Sequence, residues 1–136
     1  MCGLDAGATG IIAIVDTAEA LLGLAGFRGA RLIGLAWDAA SLCADIGAER
    51  YRGGLVGSVG PYHLARDLTL LAATAAGVAA IDAAFVDARD EEGLRAEALA
   101  ARRAGFAGKM AIDPVQAPII NDVFPSRSIS PTLPSS

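Results

Sequence analysis

With only two cysteines, one histidine and one lysine, the 136-residue chain is poor in the side chains that serve several common chemistries. Cys2 and Cys43 form no framework of spacings, which excludes a disulfide scaffold and makes a reducing, cytoplasmic compartment the simplest expectation. His63 has neither a cysteine at ligand spacing nor a Ser–Asp arrangement beside it, so zinc-site and triad readings both fail on count. Basic residues number 11 against 15 acidic ones, and the arginines among them are scattered, which excludes a nucleic-acid footprint. The charge-free stretch at 68–81 is shorter than the roughly 20 apolar residues that span a bilayer, and Gly77 interrupts it, so it reads as core. No basic start or apolar signal core occupies the first ten residues. The glycines of 53–60 do not form the dinucleotide fingerprint, and Gly105-Phe106-Ala107-Gly108-Lys109-Met110 lacks the spacing and hydroxyl of a phosphate loop.

What the chain has in abundance is aliphatic: 54% of residues are hydrophobic but only 5% aromatic, a composition that suits helices packed on a sheet. Residues 10–15 (GIIAIV) form a short β-branched run that ends at Asp16-Thr17 before an alanine- and leucine-rich helix over 18–26. The pattern recurs with a strand over 31–37, Asp38, and a helix over 39–46 closed by Gly47. After a glycine-rich loop at 48–60, Pro61 opens a helix whose Leu64, Leu68, Leu71 and Ala75 fall on one face, with Gly77 as its stop. A third strand is expected over 79–86. It leads to a helix over 91–104 with acidic residues in its first turn, Arg102-Arg103 in its last, and Leu94, Ala98 and Ala101 on one face. A fourth strand over 108–112 precedes Asp113-Pro114 and a short helix over 115–123. Residues 1–124 read as one domain and 125–136 as a loose Ser/Pro-rich tail.

Four strand-then-helix units require parallel strands and right-handed crossovers, so the class is α/β. A closed eight-unit barrel takes about 250 residues, and this chain holds about half of that. An open doubly wound sheet of four strands is the alternative.

Chemistry in such folds collects beyond the carboxyl ends of the strands. Asp16, Asp38, Asp87 and Asp113 are expected there, a set of hard oxygen donors suited to Mg²⁺. Each alone also reads as a cap of the helix that follows it. Asp82, within the third strand, is expected to play a structural hydrogen-bonding role, and Lys109 to be a solvated or ion-paired residue rather than a Schiff-base lysine.

Two segments carry a family resemblance: residues 80–95 (AIDAAFVDARDEEGLR) and residues 101–116 (ARRAGFAGKMAIDPVQ). Together with residues 14–22 (IVDTAEALL) and 34–47 (GLAWDAASLCADIG), in the same order, they resemble the citrate lyase β-subunit-like proteins of the HpcH/HpaI aldolase/citrate lyase family. The resemblance implies a (β/α)8 TIM-barrel fold, here in its C-terminal half only. It also implies oligomeric assembly and a Mg²⁺-dependent making or breaking of a carbon–carbon bond. The substrates so implied are 3-hydroxyacyl thioesters of coenzyme A or an acyl carrier, of the citryl, malyl or citramalyl type, with an oxo-acid as the other partner.

By position in the family's motifs, Asp16 stands where a glutamate metal ligand stands and Ser41 where an aspartate ligand stands, with Ala40 in place of the neighbouring glutamate. Asp38, at the family's glycine position, is the candidate substitute ligand. The family's Ile-His-Pro reads Ile112-Asp113-Pro114, so Asp113 joins Asp16 and Asp38 as a candidate catalytic residue. The first half of the barrel, with the arginine that clamps the substrate carboxylate, is missing from the match, and the tail stands in place of the family's C-terminal helical extension. A homo-oligomer or a partner chain is therefore expected to supply the missing strands. The alternative is a non-catalytic remnant or regulatory relative that keeps the packing but not the metal site.

Overall fold

Four strands pair side by side into one parallel sheet: β1 (Ile11–Val15), β2 (Leu32–Trp37), β3 (Ala79–Asp82) and β4 (Gly108–Lys109), in that spatial order. The structure is a computed structural model, and it describes residues 9–27, 29, 31–48 and 61–125. The expected glycine-rich loop, apart from Ala48, and the expected tail, apart from Pro125, lie outside the described residues. The helices are α1 (Ala18–Leu22), α2 (Ala39–Asp45), α3 (Tyr62–Ala76), α4 (Glu91–Ala104) and α5 (Ala117–Val123). Sequential order, parallel strands and intervening helices make this about half of a (β/α)8 barrel. No described helix is long and apolar enough to cross a membrane.

One face of the sheet carries the core. Val15, Leu35, Trp37 and Ala80 point toward the helices and are buried with Leu21 of α1, Leu42 and Cys43 of α2, Tyr62, Ala65 and Ala73 of α3, and Ala101 of α4. A smaller cluster of Phe85, Leu94, Ile119 and Ile120 joins α4 to α5. Alternation along each strand sends the intervening residues to the opposite face. An irregularity in the β1–β2 register opposite Ile11 and Ile12 adds Ile33 to that second face. There Ile12 and Ile14 are each 49% exposed and Ile33 55%, with no described helix over them.

The expected α4 is found at its stated limits. Asp90 caps it by accepting from the Gly93 amide at 2.9 Å, Gly105 ends it at φ +118°, and Leu94, Ala98 and Ala101 are its buried residues. Other expectations are corrected. The first helix stops at Leu22, and a 3₁₀ turn (Leu24–Gly26) follows, hinged at Gly23. On α3 the buried stripe is Tyr62, Ala65, Thr69 and Ala73, whereas Leu64 and Leu71 are exposed. Small residues let the helix axis approach β2 and β3 closely, and Thr69 meets its buried polar atom's need by donating from Oγ1 to the Ala65 carbonyl at 2.8 Å.

The third and fourth strands are shorter than expected because side chains take the hydrogen bonds that a longer ladder would use. Lys109 Nζ donates to the Ala83 carbonyl at 2.7 Å and Gln116 Nε2 to the Phe85 carbonyl at 2.8 Å. Gln116 Oε1 in turn accepts from the Ile112 amide at 2.9 Å, so one fully buried amide side chain braces the loops leaving β3 and β4.

Candidate functional site at the carboxyl rim

Val15 lies opposite Trp37 as the last pair of the β1–β2 ladder, and the Asp38 amide donates to the Val15 carbonyl at 2.9 Å. Asp16 and Asp38 therefore leave neighbouring, co-directional strands side by side. Asp38 is held in place as the cap of α2: its Oδ1 accepts from the Ala40 amide at 3.0 Å and the Ser41 amide at 3.2 Å. Its Oδ2 accepts from Ser41 Oγ at 2.8 Å. Asp16 is exposed, and its carboxylate is bonded to no other described residue.

Asp87 and Asp113 do not end their strands directly, since β3 and β4 stop earlier. Both belong to the loops beyond the same carboxyl ends, where each makes a local turn. Asp87 Oδ1 accepts from the Arg89 amide at 3.0 Å, and Asp113 Oδ1 from the Val115 amide at 2.9 Å as the cap of a 3₁₀ turn (Pro114–Gln116). A further carboxylate comes from a residue that no local spacing singles out: Asp45 Oδ2 accepts from the Ala18 amide at 2.8 Å, tying the end of α2 to the start of α1.

Beneath the rim lies a buried ionic cluster. Asp82 is 1% exposed, and its Oδ1 accepts from Trp37 Nε1 at 2.8 Å and from Arg66 Nε at 3.3 Å. Lys109 Nζ donates its three protons to Asp82 Oδ2 at 3.1 Å, Glu97 Oε1 at 2.7 Å and the Ala83 carbonyl. Arg66 also lies over the Phe106 ring, 4.8 Å from its centroid. The cluster gives Asp82 the structural role expected of it and occupies every donor of Lys109, leaving the ammonium no free proton or lone pair for chemistry. Glu97 is the member that sequence reasoning missed, because only the approach of α4 to β4 brings it to Lys109.

Among the described residues a second buried titratable pair is Cys43 with Tyr62. A side-chain hydrogen bond with Cys43, then burial, then the charge Cys43 can carry, push the Tyr62 phenol up to about 12 from its usual 10.0. The pair lies in the core between α2 and α3 rather than at the rim.

The sequence matches the HpcH/HpaI aldolase/citrate lyase family over residues 1–114. The chain belongs to this family. It is 33% identical to the citrate lyase subunit beta of Leuconostoc mesenteroides subsp. cremoris, covering 90% of this chain and 39% of that protein. It is 38% identical to a (3S)-malyl-CoA thioesterase of Cereibacter sphaeroides, covering 82% of this chain and 38% of that one. In three dimensions it is similar to the citrate lyase beta subunit of Mycobacterium tuberculosis complexed with oxaloacetate and magnesium. That match has a TM-score of 0.75 and 33% identity, over 86% of this chain and 53% of the other. The chain thus spans about two-fifths of the curated relatives' length and about half of the solved chain.

That Mycobacterium tuberculosis structure holds magnesium, and the donor set here can be compared with what the ion asks for. Among the described residues no three His, Cys, Asp or Glu side chains converge as a cage. Mg²⁺ asks for less, taking one or two carboxylates and filling its other positions with water and substrate oxygens. Asp16 brings an unengaged carboxylate and Asp38 an Oδ2 preset by Ser41, oxygen donors of the type that Mg²⁺ takes. Ser41 contributes no charge and directs its hydroxyl proton to Asp38.

Proposed function

We propose that this chain supplies the metal-bearing half of a Mg²⁺-dependent carbon–carbon lyase that cleaves a 3-hydroxyacyl thioester of coenzyme A or an acyl carrier, of the citryl, malyl or citramalyl type, into an acyl thioester and an oxo-acid. The observation that carries the reading is the adjacent emergence of Asp16 and Asp38 at the carboxyl ends of β1 and β2. Family membership and a relative acting on a malyl-CoA thioester support the substrate class.

In this reading Asp16 and Asp38 would hold the metal. When bound, Mg²⁺ supplies a Lewis acid that draws in the oxygens of the oxo-acid portion and offsets the negative charge developing there. Asp38 needs little reorganisation, because two amides and the Ser41 hydroxyl already fix its carboxylate. Asp113, exposed on the loop after β4, has one oxygen engaged by the Val115 amide and another to accept the substrate hydroxyl proton. The buried cluster around Asp82 keeps the floor of the rim rigid by fixing Trp37, the residue before Asp38. A cation for the substrate carboxylate and the remaining strands come from outside these four βα units, so the four units alone make a weak catalyst.

The test is cleavage of malyl-, citramalyl- and citryl-coenzyme A by the purified chain, followed as released oxo-acid. Slow cleavage of at least one thioester is expected, abolished by chelator and by Asp16→Ala. No cleavage of any of them at high protein and magnesium concentration would favour a non-catalytic relative and overturn the proposal.

A further inference from the structure

We propose that Gln116 is the positioning residue for Asp113. Its buried amide group locks the turn that carries this carboxylate to the loop leaving β3, so that the two loops meet the substrate as one rigid body. The inference rests on the functional reading above, in which Asp113 accepts the substrate hydroxyl proton, and deepens it by naming the residue that aims it.

Strand pairing stops short of Asp113. β4 ends at Lys109, and the Met110 amide still reaches the Asp82 carbonyl at 2.9 Å. Beyond that point the two departing chains are joined through the Gln116 side chain. Its Nε2 donates to the Phe85 carbonyl at 2.8 Å, and its Oε1 accepts from the Ile112 amide at 2.9 Å. One planar group thus offers a donor to one loop and an acceptor to the other. Gln116 is 0% exposed, so water does not compete for either bond, and the low-dielectric surroundings strengthen both.

The grip reaches Asp113 through the turn itself. The bond from Ile112 to Gln116 Oε1 closes the segment between them into a ring that contains Asp113, Pro114 and Val115. Inside that ring the Gln116 amide donates to the Asp113 carbonyl at 3.0 Å, and the Val115 amide to Asp113 Oδ1 at 2.9 Å. Pro114 fixes one more backbone angle. Asp113 is exposed, yet its carbonyl and one carboxylate oxygen are both engaged, which leaves Oδ2 held out for a proton. The other end of the brace is equally fixed. The Phe85 ring packs with Leu94, Ile119 and Ile120, and the Ala83 carbonyl, two residues earlier, accepts from Lys109 Nζ at 2.7 Å. A reacting group displaced by about 1 Å can lose about 10²-fold in rate, so a carboxylate on an exposed turn needs such an anchor.

The experiment compares the full chain with Gln116→Met, which fills similar space without either bond, and with Gln116→Glu. Glutamate keeps an oxygen for the Ile112 amide and, while burial holds it neutral, a proton for the Phe85 carbonyl. Residue-resolved hydrogen exchange is read first. In Gln116→Met the Ile112 and Val115 amides should speed by about tenfold beyond any change at Ala101 in α4, and Gln116→Glu should restore them toward acid pH. Cleavage of malyl-, citramalyl- and citryl-coenzyme A is read second, well below each variant's melting midpoint. Gln116→Met should lower kcat by about tenfold or more at unchanged KM, yet change it less than about twofold when Asp113→Asn is already present. Should Gln116→Met lose its native circular dichroism, Gln116→Glu carries the same comparison between acid and alkaline pH. Unchanged exchange at Val115 overturns the inference. So does an equal fall in kcat with and without the Asp113 carboxylate, the mark of a merely structural role. Absence of cleavage by the wild type would overturn the lyase reading instead, and exchange alone then decides whether Gln116 holds Asp113.

Discussion

Replacing Lys109 by methionine should destabilise the protein by about 3 kcal/mol, the low end of the range for removing one partner of a buried ion pair. The wild-type ammonium is fully buried and meets three acceptors, Asp82, Glu97 and the Ala83 carbonyl. Methionine preserves most of the volume, so the loss is electrostatic rather than a cavity. Asp82 keeps Trp37 and Arg66, and the Glu97 side chain is 13% exposed and can turn toward water, which holds the effect near the lower bound. The Ala83 carbonyl is left without its donor, at a cost of about 1–3 kcal/mol for a buried group. Urea denaturation at fixed protein concentration, followed by the fluorescence of the single tryptophan, measures the change as a lower midpoint with unchanged slope. In a thermal melt the same loss corresponds to a fall of roughly 10 °C for a domain of this size. A double variant, Lys109→Met with Asp82→Leu, should lose less than the sum of the single changes, because each removes the partner the other would strand. A single variant within 1 kcal/mol of wild type, or strict additivity in the double, would refute the idea that the cluster is held by mutual pairing.

Three further outcomes are expected. Tyr62, with its folded pKa raised to about 12, contributes stability that is fully present below pH 10 and lost as pH rises through 12. Tyr62→Phe should flatten that alkaline decline in a stability–pH series, and an unchanged decline would contradict it. Gly93→Ala should destabilise by about 1–2 kcal/mol in urea even though alanine favours helix by about 1 kcal/mol, because overpacking wins. Its Cβ would collide with the Asp90 carboxylate and sit 2.8 Å from Phe85 Cζ. Asp38→Ala should lower stability by about 1 kcal/mol through loss of the α2 cap, and a neutral effect would show that Asp38 is not held there.

The sequence was most legible where local rules decide the outcome. Helix α4 carries its cap Asp90, acidic start, basic end and stopping glycine within one stretch, and its limits could be read directly. The carboxyl-rim placement of Asp16 and Asp38 followed from strand-then-helix order, because parallel strands put every such junction at one end. What was illegible depends on residues far apart in the chain. The ends of β3 and β4 are set by Lys109 and Gln116 reaching across to the Ala83 and Phe85 carbonyls, which no window around 79–86 contains. The buried face of α3 is hidden from the sequence because leucine periodicity outweighs the Ala65–Thr69–Ala73 stripe, and only the closeness of β2 and β3 makes small residues the better fit. At the rim, the hydroxyl of Ser41 turning to Asp38 and the reach of Asp45 to the Ala18 amide depend on how α2 lies across the strand ends.

The proposed metal-bearing role of Asp16 and Asp38 is tested by calorimetric titration of the full chain with MgCl₂, beside Asp16→Ala and Leu22→Glu. Saturable millimolar binding in wild type and Leu22→Glu, absent from Asp16→Ala, is the expected result. Equal binding in all three proteins, or none in the wild type at tens of millimolar metal, would contradict it.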